Sequence, residues 1–313
     1  MNQQAESILR EVKKAIVGKD EVVARALMVV LSRGHILLED VPGVGKTTLA
    51  LAFSRAMGIE YRRVQFTPDV VPSDILGFSI YDKETGNLVY KPGAVMCNLL
   101  LADEINRTSS KTQSARLEVM EERQVSIDGV THALPDPFLV IATQNPVGAA
   151  GTQLLPQAQL DRFMARLKMG YPDFNSQVRI LRDRKGENPL NQVSQTVDAA
   201  AVRRMQGEVD SLNVADSIYE YITHLAQATR EHAVVQLGVS PRGALAVLKM
   251  AQARAYVSGR DYVLPEDAAA VFGDVCAHRL VLSPKAKLAG KTAEDVIREV
   301  LASVRMPLAG ARG

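Results

Sequence analysis

The chain has 313 residues, which is enough for two modest domains or one large domain with a satellite. Hydrophobic residues make up 47% of it and charged residues 23%, as in an ordinary globular protein. With 37 basic and 35 acidic residues, the formal charge is +2. This near-neutrality excludes a general attraction to nucleic acid or anionic membranes and leaves only local patches.

The cysteines and histidines point to no covalent framework or metal centre. Cys97 and Cys276 lie far apart in sequence, so we expect two reduced, buried thiols rather than a disulfide or a zinc site. The five histidines lack ligand spacings such as HExxH. They are His35, His132, His224, His232 and His278.

The N-terminal segment, MNQQAESILREVKKAIVG, is charged throughout. It lacks the apolar centre of a signal peptide and is typical of an amphipathic helix. No stretch of the sequence approaches the ~20 apolar residues that span a bilayer. We therefore expect a cytoplasmic protein without membrane insertion.

The first half alternates short apolar runs with helical patterns, as at 47–57 and 109–122. Three runs are almost continuously apolar, which is typical of strands buried on both faces of a parallel sheet. The alternation predicts a doubly wound α/β domain with five strands. The predicted strands are 35–39, 61–66, 99–102, 138–143 and 165–171.

Two hairpins interrupt this pattern. The first covers 79–93, with its turn near 85–87. The second covers 124–132, where Asp128 and Gly129 stand between two alternating arms. Asp-Gly in this setting favours a two-residue turn with positive φ at both positions.

After Pro172 the composition changes, and no convincing strand follows. Helical patterns predict an α-helical bundle, so we place a domain boundary between 1–172 and 173–313. The polar segment 185–195 is expected to be a connector. The clearest helices are predicted at 199–208, 217–232, 241–258 and 265–278.

The strongest chemical signal is HILLEDVPGVGKTTLALAFSRAM, in which a strand, a glycine-containing loop and a helix follow one another. This context predicts a phosphate-binding loop. Gly43 and Gly45 let backbone N–H groups face phosphate oxygens, Lys46 would pair with the β- and γ-phosphates, and Thr47 would ligate Mg²⁺. Asp40 occupies the position at which phosphate-binding loops usually have their first glycine. The expected nucleotide-binding residues of the loop are Pro42, Gly43, Val44, Gly45, Lys46, Thr47 and Thr48.

Two further strands end in polar side chains. LLLADEIN delivers Asp103 and Glu104, and FLVIATQN ends at Asn145. We expect Asp103 to hold Mg²⁺ and Glu104 to orient and deprotonate the attacking water. Asn145 would position that water beside the γ-phosphate, or would instead serve the turn before Pro146.

Read together, EDVPGVGKTTLA, LLLADEINR, ATQNP, AQLDRF and GVSPRGALA resemble the MoxR family of AAA+ ATPases. The resemblance covers nearly the whole chain. It implies a P-loop AAA+ core with two hairpin insertions followed by an all-α lid, with ATP and Mg²⁺ as cofactors. It also implies a homo-oligomeric ring, commonly a hexamer, with ATP sites between subunits.

The same resemblance assigns several residues. Ile16, Val17 and Gly18 would lie at the adenine pocket. Arg162 would be the arginine finger that reaches a neighbour's ATP, and Arg242 the second sensor arginine. The residues alone leave alternatives open: Arg162 could form a salt bridge with Asp161 or a nearby glutamate, and Arg242 could be solvent-exposed, although its charge opposes the dipole of its helix. Gln157 replaces the usual acidic residue before AQLDRF.

For function, the resemblance implies an ATP-driven chaperone that remodels or matures protein complexes or inserts a metal cofactor. It also implies a protein partner with a von Willebrand factor A domain. A magnesium-chelatase-like motor subunit, a nucleic-acid translocase and a nucleotide-switched scaffold are the alternatives. Because a loop that tracks nucleic acid should be basic and both hairpins are close to neutral, no nucleic-acid partner is expected.

Overall fold

The computed structural model describes residues 2–84, 86–108, 112–113, 119–144, 155–183, 186 and 188–307. Its centre is a parallel five-stranded sheet, which confirms the predicted α/β core. The strands are β1 Ile36–Glu39, β2 Tyr61–Gln65, β5 Leu99–Asp103, β8 Leu139–Gln144 and β9 Ala165–Leu167. They lie in the order β2-β5-β8-β1-β9. The last strand is shorter than predicted, since residues after Leu167 leave the sheet.

Alternate residues of the central strands pack into two separate hydrophobic clusters. Ile36, Leu101 and Ile141 belong to the cluster that includes the early helices. Leu37 and Val140 belong to the cluster on the opposite face. The sheet is therefore buried on both faces, which explains its nearly continuous apolar strands.

Helices α1 Gln3–Ala15, α2 Asp20–Leu31 and α3 Lys46–Met57 pack on one face of the sheet. The side chain of Asn2 caps α1, which is amphipathic as predicted. Two short helices, α4 Pro72–Leu76 and α5 Gln157–Leu160, also lie in this half. Of the predicted helix 109–122, residues 112–113 and 119–122 are described and helical.

Both hairpins are confirmed. Strands β3 Gly77–Tyr81 and β4 Leu88–Pro92 form the first, and β6 Gln124–Ile127 and β7 Val130–Ala133 form the second. Asp128 and Gly129 have φ values of 51° and 80°, so the second turn has positive φ at both positions, as expected. The rings of Tyr90 and His132 stack with centroids 3.9 Å apart and join the two hairpins.

The second half is predominantly helical, and its four predicted helices are present with ends shifted by up to two residues. The prediction that it lacks strands is wrong: β10 Val235–Leu237 and β11 Val281–Leu282 pair antiparallel. Strands this short carry no detectable periodicity. The helices are α6 Phe174–Asp183, α7 Ala199–Asp210, α8 Asp216–Glu231, α9 Pro241–Val257, α10 Pro265–Cys276, α11 Pro284–Leu288 and α12 Ala293–Ser303.

One hydrophobic cluster runs from α1–α3 into these later helices, and α2 packs against α7 and α9. The two halves therefore share a core. Cys97 and Cys276 are free and buried, as expected, and burial raises the pKa of each thiol to about 12. No helix of the described part is long and apolar enough to cross a bilayer.

Candidate active site

The loop between β1 and α3 has the backbone that phosphate binding requires. Gly43 and Gly45 adopt φ values of 84° and 97°, a region that L side chains rarely enter. Gly45 directly precedes α3, whose first residue is Lys46. The positive end of a 12-residue helix therefore faces the loop, as an anion site requires.

Lys46 is buried and folds back onto its own loop. Its Nζ donates to the carbonyl oxygens of Asp40 at 2.7 Å and Val41 at 3.2 Å. Burial lowers the pKa of Lys46, whereas the charges of Asp40, Asp103 and Glu104 act in the opposite direction. An anion in the loop would supply the strong charged partner that these carbonyls replace.

Asp40, which stands where a phosphate loop usually has glycine, anchors the loop. Its Oδ2 accepts from the Gly170 N–H at 2.6 Å, and its Oδ1 accepts from the Val41 N–H at 2.9 Å. The aspartate thereby ties the loop entrance to the segment after β9. Sequence reasoning missed this role, since the partner lies 130 residues away.

The two carboxylates at the end of β5, those of Asp103 and Glu104, are held by different partners. Thr143 Oγ1 donates to Asp103 Oδ1 at 2.5 Å and accepts from the Glu104 N–H at 2.9 Å. Arg63 Nη2 donates to Asp103 Oδ2 at 2.7 Å, and Arg107 Nη1 donates to Glu104 Oε2 at 2.8 Å. Glu104 has a left-handed backbone, with φ 56°. Such a conformation is uncommon for non-glycine residues and clusters at functional sites.

The loop and the carboxylates line one cavity of about 340 Å³. Its charged side chains are Lys46, Arg63, Asp103 and Glu104. Thr47 and Thr48 also line it. The structure thus brings together the predicted loop and the predicted carboxylates Asp103 and Glu104.

A second cavity, of about 380 Å³, adjoins the first along Pro42, Gly43, Gly45 and Thr48. Ile16, Val17 and Val44 line it, together with Tyr171 and Leu181 and other residues of the segment after β9. Gly18 is not among its lining residues; it turns the chain at φ 71° beside Ser176. An apolar cavity that opens onto a phosphate loop suits a nucleobase.

Arg162 and Arg242 lie elsewhere, in a cavity of about 270 Å³ that shares none of its described lining residues with the phosphate cavity. Both contact one carboxylate: Arg162 Nε lies 3.2 Å from Glu121 Oε2, and Arg242 Nη2 donates to Glu121 Oε1. The salt bridge with a nearby glutamate, left open by the sequence, is therefore present. Asn145 lies outside the described residues.

A buried arginine fixes the turn that carries Arg162. Arg279 Nε donates to Asp161 Oδ1 at 2.8 Å, and its Nη2 donates to the carbonyls of Asp161 and Phe163 at 3.0 and 2.8 Å. Ser240, which caps α9 just before Arg242, lies 3.4 Å from the same Asp161 carboxylate. These contacts couple the two arginines through one network.

Gln157 explains how this chain tolerates the loss of an acidic residue. Its Nε2 donates to the His278 carbonyl at 3.0 Å. A carboxylate cannot donate such a hydrogen bond at neutral pH, so the amide suits its partner.

Residues 35–165 match the family described as ATPase family associated with various cellular activities (AAA), and residues 227–300 match the AAA lid domain. Chaperone MoxR1 of Mycobacterium tuberculosis is 42% identical over 96% of this chain and 82% of its own. The chain belongs to the MoxR family of AAA+ ATPases. This MoxR-family chain is also 46% identical to the uncharacterized protein YeaC of Bacillus subtilis, over 96% of this chain and 94% of that protein.

A solved structure agrees with this placement of the MoxR-family chain. A crystal structure of a candidate ATPase from Cytophaga hutchinsonii superimposes with a TM-score of 0.90 at 38% identity. It covers 97% of this chain and 95% of that one. The AAA+ core and the helical lid are therefore the shared fold.

Proposed function

We propose that this MoxR-family chain binds and hydrolyses ATP. The observation that carries the proposal is the single cavity in which Lys46 and Thr47 face Asp103 and Glu104. A phosphate loop at a helix start binds the anion, and two carboxylates opposite it serve the cation and the water. A scaffold that binds ATP as a switch without hydrolysing it would not need Glu104 as a carboxylate for the attacking water.

The donor set of the cavity fits Mg²⁺ brought in with ATP. Among the described residues, no group of three or more histidine, cysteine, aspartate or glutamate side chains could hold a metal alone. Mg²⁺ usually binds through one or two protein oxygens plus substrate phosphates, which the Thr47 hydroxyl and Asp103 match. When bound, the ion would neutralise charge on the phosphate oxygens.

Glu104 is the proposed general base, and it begins in an ion pair. Arg107 Nη1 lies 2.8 Å from Glu104 Oε2 and pairs with it. We propose that Glu104 leaves Arg107 to accept the proton of the attacking water. Lys46 and the helix dipole would orient the phosphates, and Asn145 would position the water.

We propose a homo-oligomeric, hexameric ring in which Arg162 and Arg242 serve the ATP of a neighbouring subunit. Their separation from their own phosphate cavity supports action in trans. Glu121 occupies both arginines within the single subunit. A neighbour's γ-phosphate would compete with this carboxylate for the same two guanidinium groups.

The work that the ATPase performs is proposed from its relatives and from its hairpins. The chaperone name of the M. tuberculosis relative favours remodelling or maturation of protein complexes, with metal-cofactor insertion and a von Willebrand factor A domain partner as finer expectations. Phe78, Tyr81 and Leu88 of the first hairpin are exposed, which suits a protein client better than phosphates. A chelatase-like motor or a nucleic-acid translocase is the second candidate. The domain boundary at 172 and a cytoplasmic location stay predictions.

The test of the proposal is ATP binding and steady-state turnover in matched variants. Lys46→Ala should lose most ATP binding, because the loop loses the lysine that lines the phosphate cavity. Glu104→Gln should bind ATP but hydrolyse it slowly. The exposed Lys285→Ala and Glu122→Gln serve as controls and should behave like the parent. Unchanged turnover in Glu104→Gln would refute the hydrolytic mechanism.

A further inference from the structure

Arg63 is a cation that lines the phosphate cavity and belongs to none of the sequence motifs. It lies on β2, next to β5, and its Nη2 donates to Asp103 Oδ2 at 2.7 Å and to Gln65 Oε1 at 3.0 Å. Its side chain is 48% exposed, so it can move without unpacking the core.

The neighbouring Arg62 points away from this cavity, because successive side chains of a strand face opposite sides. Arg62 pairs with Glu60 and donates to the Gly93 carbonyl at 3.1 Å. Two adjacent arginines of similar exposure therefore have different surroundings. Only Arg63 lines the phosphate cavity.

Both oxygens of Asp103 are occupied in the structure. Oδ1 accepts a hydrogen bond from the Thr143 hydroxyl, and Oδ2 accepts one from Arg63. A cation that binds Oδ2 directly competes with the guanidinium group for that carboxylate oxygen. Among the described residues that line the cavity, Lys46 and Arg63 balance Asp103 and Glu104, so their formal charges sum to zero.

We propose that Arg63 is the built-in counter-cation of Asp103: it occupies the carboxylate in the metal-free site and leaves it when Mg²⁺ binds. The inference rests on the proposed function, since it assumes ATP in this cavity. Paired with Asp103 in the metal-free site, Arg63 offsets negative charge that would otherwise repel nucleotide phosphates. Arg63 thus strengthens nucleotide binding without metal and weakens metal binding.

This arrangement gives Arg63→Gln two effects of opposite sign. Without Arg63 the lining side chains carry a net charge of −1 by the same count, so metal-free ATP binds more weakly. The same change frees Asp103 Oδ2, so less Mg²⁺ is needed. Because the pair is half-exposed, we expect each effect to be about twofold to fivefold.

The experiment compares Arg63→Gln with Arg62→Gln as the matched control. A fluorescent ATP analogue is titrated in EDTA to measure metal-free binding. Mg²⁺ is then titrated into the nucleotide-bound protein, without relying on turnover. Arg63→Gln should weaken metal-free ATP binding and lower the Mg²⁺ concentration that half-saturates the nucleotide-bound protein. Arg62→Gln should change neither, and thermal melting should confirm that both variants fold.

Arg63→Lys provides a second variant in case Arg63→Gln does not fold. A lysine keeps the charge but cannot reach both acceptors with one planar group. It should retain metal-free ATP binding and lower the Mg²⁺ requirement. The proposal is overturned if Arg63→Gln matches Arg62→Gln in both titrations. It is also overturned if Arg63→Gln weakens both metal-free ATP binding and Mg²⁺ binding. If the parent protein binds no ATP at all, the proposed function fails instead.

Discussion

Replacement of Arg279 by methionine should destabilise the chain strongly. The Arg279 side chain is only 3% exposed, and its donors are used by Asp161 and by backbone carbonyls. Methionine fills similar space but leaves the Asp161 carboxylate and these carbonyls without their donor. Removing one partner of a buried ion pair costs about 3–5 kcal/mol. Asp161 is partly exposed, which places the expected loss of unfolding free energy near the lower limit, at about 3 kcal/mol.

Chemical denaturation measures this loss, with Arg298→Met as the control. Arg298 pairs with Asp295 on the surface and is 77% exposed, so its replacement should cost about 0.5 kcal/mol or less. At temperatures at which Arg279→Met is still folded, this variant should also hydrolyse ATP more slowly than the parent, because Asp161 immediately precedes Arg162. If Arg279→Met unfolds within about 1 kcal/mol of the parent, the coupling network is not the constraint argued from its contacts.

Three further predictions test separate parts of the account. Arg162→Ala should fold and bind ATP yet lose about 10³–10⁵ in turnover, and normal turnover would remove Arg162 from the site. Asp40→Ala should weaken ATP binding roughly tenfold, since the loop loses its tie to Gly170; unchanged affinity in a binding titration would contradict this. Hydrogen bonds from Thr292 lower the pKa of Asp295 from 3.8 to about 2. The stabilisation that the ionised Asp295 carboxylate contributes to the folded state is therefore complete above pH 3.8 and is lost as the pH falls towards 2. Asp295→Asn should remove this part of the acid dependence in pH-dependent melting, whereas an unchanged profile would refute it.

The parts of the fold that local patterns determine were predictable. Buried strands, the Asp128-Gly129 turn and the start of α3 each depend on a few adjacent residues. The strand pair β10–β11 was missed because three and two residues define no period, and their pairing joins segments more than 40 residues apart. Sequence periodicity carries no information about such a distant partner.

The site divides in the same way. Lys46, Thr47, Asp103 and Glu104 follow recognisable strand ends, and the structure places them in one cavity. The meeting of Glu121 with Arg162 and Arg242 depends on how the helical region sits on the core, which no local pattern encodes. From the motif alone, Asp40 is a departure from the usual glycine; its role depends on its contact with Gly170, which is distant in sequence.

The central claim is that one subunit supplies the phosphate loop and its neighbour supplies Arg162. Mixing Lys46→Ala with Arg162→Ala tests it, because each variant keeps the part that the other has lost. If the site is shared, the two inactive proteins at equal amounts should recover about one quarter of the parent rate, since half of the subunits keep the loop and half of their neighbours keep the arginine. If the ATPase rate of the mixture equals the sum of the rates of the two separate variants while the parent hydrolyses ATP, Arg162 does not act across a subunit boundary.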